Sequence, residues 1–494
     1  MKHQMNPRPT RDHSAAYQDS HNIEDITMED MTKSNKQGSN SSSFFIRIST
    51  HPTASISDQF VSLDNLAVPN ESAPDTNTVP IPSKPLQCPW APFRTRADFE
   101  YAEIAVCSKL PKEAVDAQLH GIHTDWAENA KITLRDYSDM IQSLTAARHV
   151  SLKVGTVEES YKGVLYTFSF NYRNPWEWIV SLVTDPTLAQ SIAWYPVHKF
   201  LHQEGKITRL IDEPQTSDTW WKVQDSLKRT SDHPHCFLPL LIWLDKGNVT
   251  RKVKVHPIIA RASFLPSVIR NASGNGSGIL LGYVPSVSSI LGHNDSTKPS
   301  EVTQLRRFRQ KVYHKVLGKI LGTLCKPAEF GEAVTCADTV TRVLYPGIPY
   351  AALDGEEAWT YACSRAASAD FPCPRCLVPH DSLDAIMETF TQRTTETMRQ
   401  VFLQASSAST ETARNTILQS FGLHLIENSL WCLQNSSPYE AISYDKLHAD
   451  DVGKWGKHLW PLLVLILERL DLKGKLNQKQ VSVMSPPTFY ADDI

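Results

Sequence analysis

The chain lacks any long hydrophobic run. Its longest aliphatic stretch, "LWPLLVLIL" at 459–467, is nine residues, against the roughly 20 that a membrane span needs, so it reads as a core helix. The opening "MKHQMNPRPTRDHSAAYQDS" has no apolar segment of the secretory kind. That points to the nucleus or cytoplasm and removes meaning from sequons such as "NVT" at 248–250. Cysteine is scarce: nine residues in 494, irregularly spaced, which fits a reducing compartment with no disulfide partner rather than a disulfide framework. Charge is nearly balanced, with 50 Lys and Arg against 53 Asp and Glu. No global basic field advertises nucleic acid, so any such surface is local. Nucleotide and protease motifs are missing too. There is no GxxxxGK[ST] and no HExxH, and "GNGSGIL" misses the GxGxxG spacing and precedes a strand rather than a helix.

What is present is a globular composition, 41% apolar and 21% charged, long enough for two to four domains. Residues 1–87 are rich in Ser, Thr, Asn, Asp and Pro and cannot bury enough apolar surface to offset ordering entropy. They read as a disordered tail in which only "FFIRIS" could dock. Residues 88–232 read as a mostly helical subdomain, with "NPWEWIVSLVTDPTLAQSIAWYP" as its best helix, closed by Pro196.

From 233 to 366 the pattern changes. "FLPLLIWL" is a continuous apolar run ending on Asp245, as in a buried central strand whose acid emerges at the strand end. Strands are predicted near 237–244, 253–264, 278–284 and 343–353, the last ending on Asp354. Between the third and fourth, residues 301–325 predict an amphipathic helix with Leu305, Phe308, Val312, Val316, Ile320 and Leu324 as its apolar stripe. The fold class is therefore α/β. The remainder, 367–494, opens on a CxxC element and continues as helices.

Three groups of residues could carry chemistry. Asp245 and Asp354, at two strand ends, can meet around divalent metal and support phosphodiester chemistry, although acids commonly end strands. Glu356 and Glu357 fit the opening turn of a helix. "FPCPRCLVPH" places Cys373 and Cys376 at a spacing that lets both sulfurs reach one Zn2+. Cys363, His380 or His448 would complete such a site, and two unligated core cysteines remain the alternative. Arg307, Lys311, Lys315 and Lys319 form a basic stripe opposite the helix's apolar face, suited to phosphate or to a solvated surface.

The stretches "CFLPLLIWLDKGNVT", "LYPGIPYAALDGEEAWTYACSRAASADFPCPRCLVPHDSL" and "YDKLHADDVGKWGKHLWPLL" resemble the Plavaka-type transposases of the Kyakuja–Dileera–Zisupton superfamily, collinearly from about 88 to 475. The resemblance implies a ribonuclease H-like domain with a helical insertion and an acidic triad holding Mg2+ or Mn2+. It also implies DNA partners at transposon ends. Carried over, the first two acids fall on Asp245 and Asp354, the CxxC on Cys373 and Cys376, and the "D-x-L-H" element on Asp445 and His448. Gly247 stands where relatives have a hydroxyl residue. A third carboxylate is missing where it is expected, with Glu468 and Asp492 poorly placed. The resulting expectation is a truncated, inactive or incomplete transposase, self-associating into a homo-oligomer. The alternatives are a co-opted DNA- or protein-binding protein and an unrelated metal-dependent hydrolase.

Overall fold

The computed structural model describes residues 44–63, 90, 92–127, 129–146, 150–203, 205–248, 254–272, 274, 276–287, 298–470 and 472. In chain order its strands are β1 (Phe45–Thr50), β2 (Gln59–Ser62), β3 (Leu152–Tyr161), β4 (Val164–Arg173), β5 (Val197–Gln203), β6 (Lys206–Leu210), β7 (His235–Leu244), β8 (Gly247–Asn248), β9 (Lys254–Val255), β10 (Pro257–Ala262), β11 (Ile279–Tyr283), β12 (Glu332–Thr335), β13 (Thr341–Leu353) and β14 (Ile442–Tyr444).

An eight-stranded sheet forms the centre, in the order β12-β13-β7-β10-β11-β4-β3, with β14 also on β13. β7 and β13 are parallel, β14 is parallel to β13, and β10, β11, β4 and β3 follow antiparallel. Strands covered on both faces must be apolar at successive positions rather than alternating. β7 is buried at eight of its ten positions and β13 at ten of thirteen, as that rule requires of central strands. The helix Pro299–Leu321 packs across the sheet. Its predicted stripe is the packing face: Phe308, Val312, Val316 and Ile320 are buried, and Phe308 lies 4.9 Å from Tyr161 of β3, ring to ring.

Four expectations need correction. Residues 88–232 are mostly helical only in their first part, where helices Arg96–Cys107, Lys112–Gly121 and Tyr137–Ala146 surround a small core of Phe93, Ala102, Val115, Leu119 and Met140. The chain then forms the β3–β4 hairpin and joins the central sheet. Val157 and Tyr161 of β3, and Phe168, Phe170 and Tyr172 of β4, sit on the buried face at period two. The two-residue turn uses positive φ at Lys162 and Gly163, the geometry a tight hairpin prefers. The tryptophan-rich helix is shorter than expected: it runs Pro175–Val183, capped by Asn174, and ends before Asp185-Pro186, where the proline disfavours helical backbone.

The second correction concerns the tail. "FFIRIS" docks as β1 between β2 and β5, in a separate sheet ordered β2-β1-β5-β6, so residues 45–62 are part of the fold; 1–43 and 64–87 lie outside the described residues. The third concerns the region after 381, which is not helical to its end. Between β13 and β14 it contributes helices Thr395–Ser407 and Glu411–Gln419 joined by extended and turn segments, then returns to the sheet as β14. Last, "LWPLLVLIL" enters a helix, Trp460–Arg469, that has no buried residue; Leu462 and Leu465 are more than half exposed. It packs on the wide-turn helical segment Leu447–Leu459 before it, with the Trp455 and Trp460 rings 6.1 Å apart. No helix among the described residues is long and apolar enough to cross a membrane.

Candidate metal centre

Three parallel strands end on one rung. Leu353 of β13 is paired with Leu244 of β7 on one side and with Tyr444 of β14 on the other. The next residues, Asp245, Asp354 and Asp445, therefore emerge together at one edge of the sheet. Register alone places them so: in parallel pairing, residues opposite one another leave the sheet side by side.

Each is then turned to a different task. Asp354 is the N-cap of the helix Gly355–Tyr361, its Oδ1 accepting the Glu357 N–H at 2.6 Å. This fixes the carboxylate's orientation by the ordinary capping bond. Asp445 holds His448: its Oδ2 is 2.5 Å from His448 Nδ1 and also accepts the His448 backbone N–H at 3.3 Å. One ligand atom each from Asp245, Asp354 and His448 lies within 4.8 Å of the other two, at half-buried positions. Donors bound at about 2.1 Å to one ion stand no more than about 4.2 Å apart, so small side-chain rotations close the set around a cation. The donors suit a divalent ion: two hard carboxylates with one imidazole, whose Nδ1 is tied to the Asp445 carboxylate.

A buried layer supports this edge. Glu357, 2% exposed, brings Oε1 within 3.1 Å of His256 Nε2, and Lys246 Nζ lies 3.8 Å from its other oxygen and 3.2 Å from Glu356. Burial works to raise the Glu357 pKa. His256, Tyr313 and Lys246 outweigh it and hold the carboxyl below its ordinary range. Glu357 does more than open a helix: it ties the turn that presents Asp354 to β10's entry and to the helix Pro299–Leu321. His256 and Tyr313 carried no sequence signal, since a histidine before a proline and a tyrosine in an apolar stripe are both commonplace.

The two cysteines of the CxxC element lie side by side. Cys373 and Cys376 hydrogen-bond to each other, and burial raises the Cys376 pKa. Among the described residues, no third His, Cys, Asp or Glu joins them in a three-ligand group. Cys363 is buried against His314, its Sγ 3.1 Å from Nε2; His380 contacts Asp381 at 3.3 Å; His448 stands with the acids. The element is organised by Arg393, which is fully buried and donates to the carbonyls of Cys373 (2.8 Å), Phe421 (2.5 Å) and Phe371 (3.1 Å). An arginine on the far side of a loop gave no warning of this in the sequence.

The basic stripe divides. Lys311 and Lys315 both reach Glu159 on β3, at 3.4 and 2.7 Å, pinning helix to hairpin. Arg307 is exposed, close enough to Arg365 and His424 to depress both of their pKa values, although burial is the larger cause in each. Lys319 is exposed.

The Plavaka transposase family model matches residues 129–463. That span holds the whole central sheet, both acids, the CxxC element and the Asp445–His448 pair. The chain belongs to this family. No match is found among curated proteins. Membership implies DNA as partner and a divalent metal for catalysis.

Proposed function

We propose that the chain carries a metal-dependent nucleotidyl-transfer centre of ribonuclease H-like type, in which Asp245, Asp354 and His448 hold the ion and DNA is the substrate. The observation that carries it is the shared rung at the ends of β7, β13 and β14, from which Asp245, Asp354 and Asp445 emerge with His448 one helical turn further on. The order β11-β10-β7-β13-β14 supports the fold reading. Three antiparallel strands are followed by two parallel to the first, with the long helix in the crossover from β11 to β13.

A divalent ion held by Asp245, Asp354 and His448 would supply Lewis acidity to phosphodiester chemistry. The chain's own contribution is preorganisation. Asp245 and Asp354 provide negative charge fixed by strand register and a helix cap. Asp445 keeps the proton on His448 Nδ1, leaving Nε2 as the donor. Glu357 and His256 hold the turn beneath. This reading departs from the expectation of a centre lacking its third acid: the third position is filled by a histidine with a carboxylate behind it. Arg307, beside Arg365, is the cation of the stripe best placed to meet phosphate. Action on DNA favours the nucleus.

The test is a nicking and strand-transfer assay on transposon-end DNA with Mg2+ or Mn2+. Metal-dependent cleavage, abolished by Asp245→Ala and Asp354→Ala, is expected. DNA binding without cleavage under either metal would instead support a co-opted binding protein.

A further inference from the structure

Two thiols outside both the metal centre and the CxxC element face each other: Cys325 Sγ and Cys432 Sγ are 3.2 Å apart across 107 residues of chain. Cys325 begins the helix Cys325–Phe330, which packs against β13, and Cys432 lies in the turns that lead from the insertion back to β14. The backbones around them are already stapled together. Asn435 Nδ2 donates to the Ala328 carbonyl at 3.1 Å, and Ser436 Oγ accepts the Ile348 N–H at 2.8 Å. A disulfide needs the sulfurs at about 2.05 Å, so closing the bond brings them roughly 1 Å nearer. Access is open as well, because Cys432 is exposed and Cys325 half-buried. By contrast Cys236 and Cys363 are buried thiols whose pKa values burial pushes up, to about 12 at Cys236.

We propose that Cys325 and Cys432 form a reversible dithiol–disulfide site, oxidised by low-molecular-weight disulfides such as oxidised glutathione. Cys432 is the exposed sulfur of the pair, and the hydrogen bond from Cys325 favours its thiolate against the opposing effect of burial, so Cys432 is the attacking sulfur. Its thiolate attacks one sulfur of the glutathione disulfide, forming a mixed disulfide and releasing one glutathione. Cys325 then loses its proton and attacks the Cys432 sulfur, expelling the second glutathione. Two protein thiols give up two electrons and two protons, and one glutathione disulfide becomes two thiols. The bond fastens the segment entering β14, and with it Asp445 and His448, to the helix behind β13. That consequence rests on the metal-centre reading; the bond itself does not.

The full chain is incubated with oxidised glutathione, its remaining thiols alkylated, and its peptides mapped by mass spectrometry. A linked Cys325–Cys432 peptide that disappears on reduction is expected, separate from any link within Cys373–Cys376. Oxidation should raise the thermal midpoint of the wild type and leave Cys432→Ser and Cys325→Ser unchanged, both variants matching the wild type when reduced. Glutathione persisting on Cys432 with Cys325 still alkylatable would overturn the proposal, as would full alkylation of both. If a variant fails to fold, the wild-type peptide map decides alone.

Discussion

Asp445 Oδ2 stands 2.5 Å from His448 Nδ1, and a nitrogen of the same ring lies within 4.8 Å of carboxylate oxygens of Asp245 and Asp354. A carboxylate behind a ligating imidazole fixes tautomer and ring orientation, and losing it typically costs 10–100-fold in metal affinity. Asp445→Asn should therefore weaken Mn2+ binding by about that factor with little change in thermal midpoint. Calorimetric titration of the purified variant checks this. Unaltered affinity would mean that Asp445 only caps the helical segment that follows it.

As a ligand in the proposed centre, His448 would also set which metal is preferred. Imidazole shifts a carboxylate site away from Mg2+ and toward softer ions, whereas an all-oxygen set suits Mg2+. His448→Asp is expected to narrow the gap between Mn2+- and Mg2+-supported activity by raising the Mg2+ response. Competition titrations with both ions read this directly, and loss of binding to both ions together would count against the ligand role.

Much of the central sheet was legible because it is written in long apolar runs. β7 and β13 each announce themselves, and the acids that follow them mark the strand ends. β14 was not legible: "ISY" is three residues, too short for any periodicity, and its place is set by pairing with β13 rather than by its own pattern. Without that strand Asp445 and His448 belong to no edge, so the sequence offers His448 to the cysteines and gives no reason to group it with Asp245 and Asp354. The β3–β4 hairpin was legible in principle, in the alternation of "LYTFSFNY", but a tryptophan-rich helical neighbourhood masked it. Arg393 and Glu357 act through tertiary contacts and left no local trace.

His314 gives the fold a pH dependence. It is fully enclosed, with Nε2 against the Thr360 carbonyl at 2.9 Å and Nδ1 near Ser429 Oγ at 3.2 Å, and burial drives its pKa down to about 4. The unfolded chain takes up a proton below about 6.5, while the folded chain resists until about pH 4. Stability from this group is intact above the upper value and falls as pH drops through the window, by roughly 3 kcal/mol in all. His314→Gln should be flatter than the wild type between pH 6.5 and 4 in chemical denaturation. Parallel slopes would exclude this histidine as the source.

The CxxC element predicts a contrast between arginine and metal. Arg393 satisfies three carbonyls from a fully buried position, and removing such a donor leaves them unpaired at about 1–3 kcal/mol each. Arg393→Met should lower the thermal midpoint strongly, whereas chelation of the wild type should leave it unchanged and metal analysis should find less than one zinc per chain. One bound zinc, with a midpoint that falls on chelation, would restore the zinc site and require ligands outside the described residues.

The helix Pro299–Leu321 allows DNA contact to be separated from structural pairing. Lys315 is committed to Glu159 at 2.7 Å, a half-exposed lysine on a mostly covered carboxylate that Lys311 also reaches, so its loss costs about 1 kcal/mol. Lys315→Ala should thus cost a little stability and leave the salt dependence of DNA binding nearly unchanged. Among the described residues Arg307 makes no carboxylate ion pair, and it sits near Arg365, where two cations repel one another until an anion arrives. Arg307→Ala should weaken binding across all DNA sequences and reduce the slope of log affinity against log salt by about one, the value for one lost phosphate contact. The slope decides the assignment: if Lys315→Ala lowers it and Arg307→Ala does not, DNA runs along the sheet-facing side of the helix, and Glu159 would have to release its lysines when DNA binds.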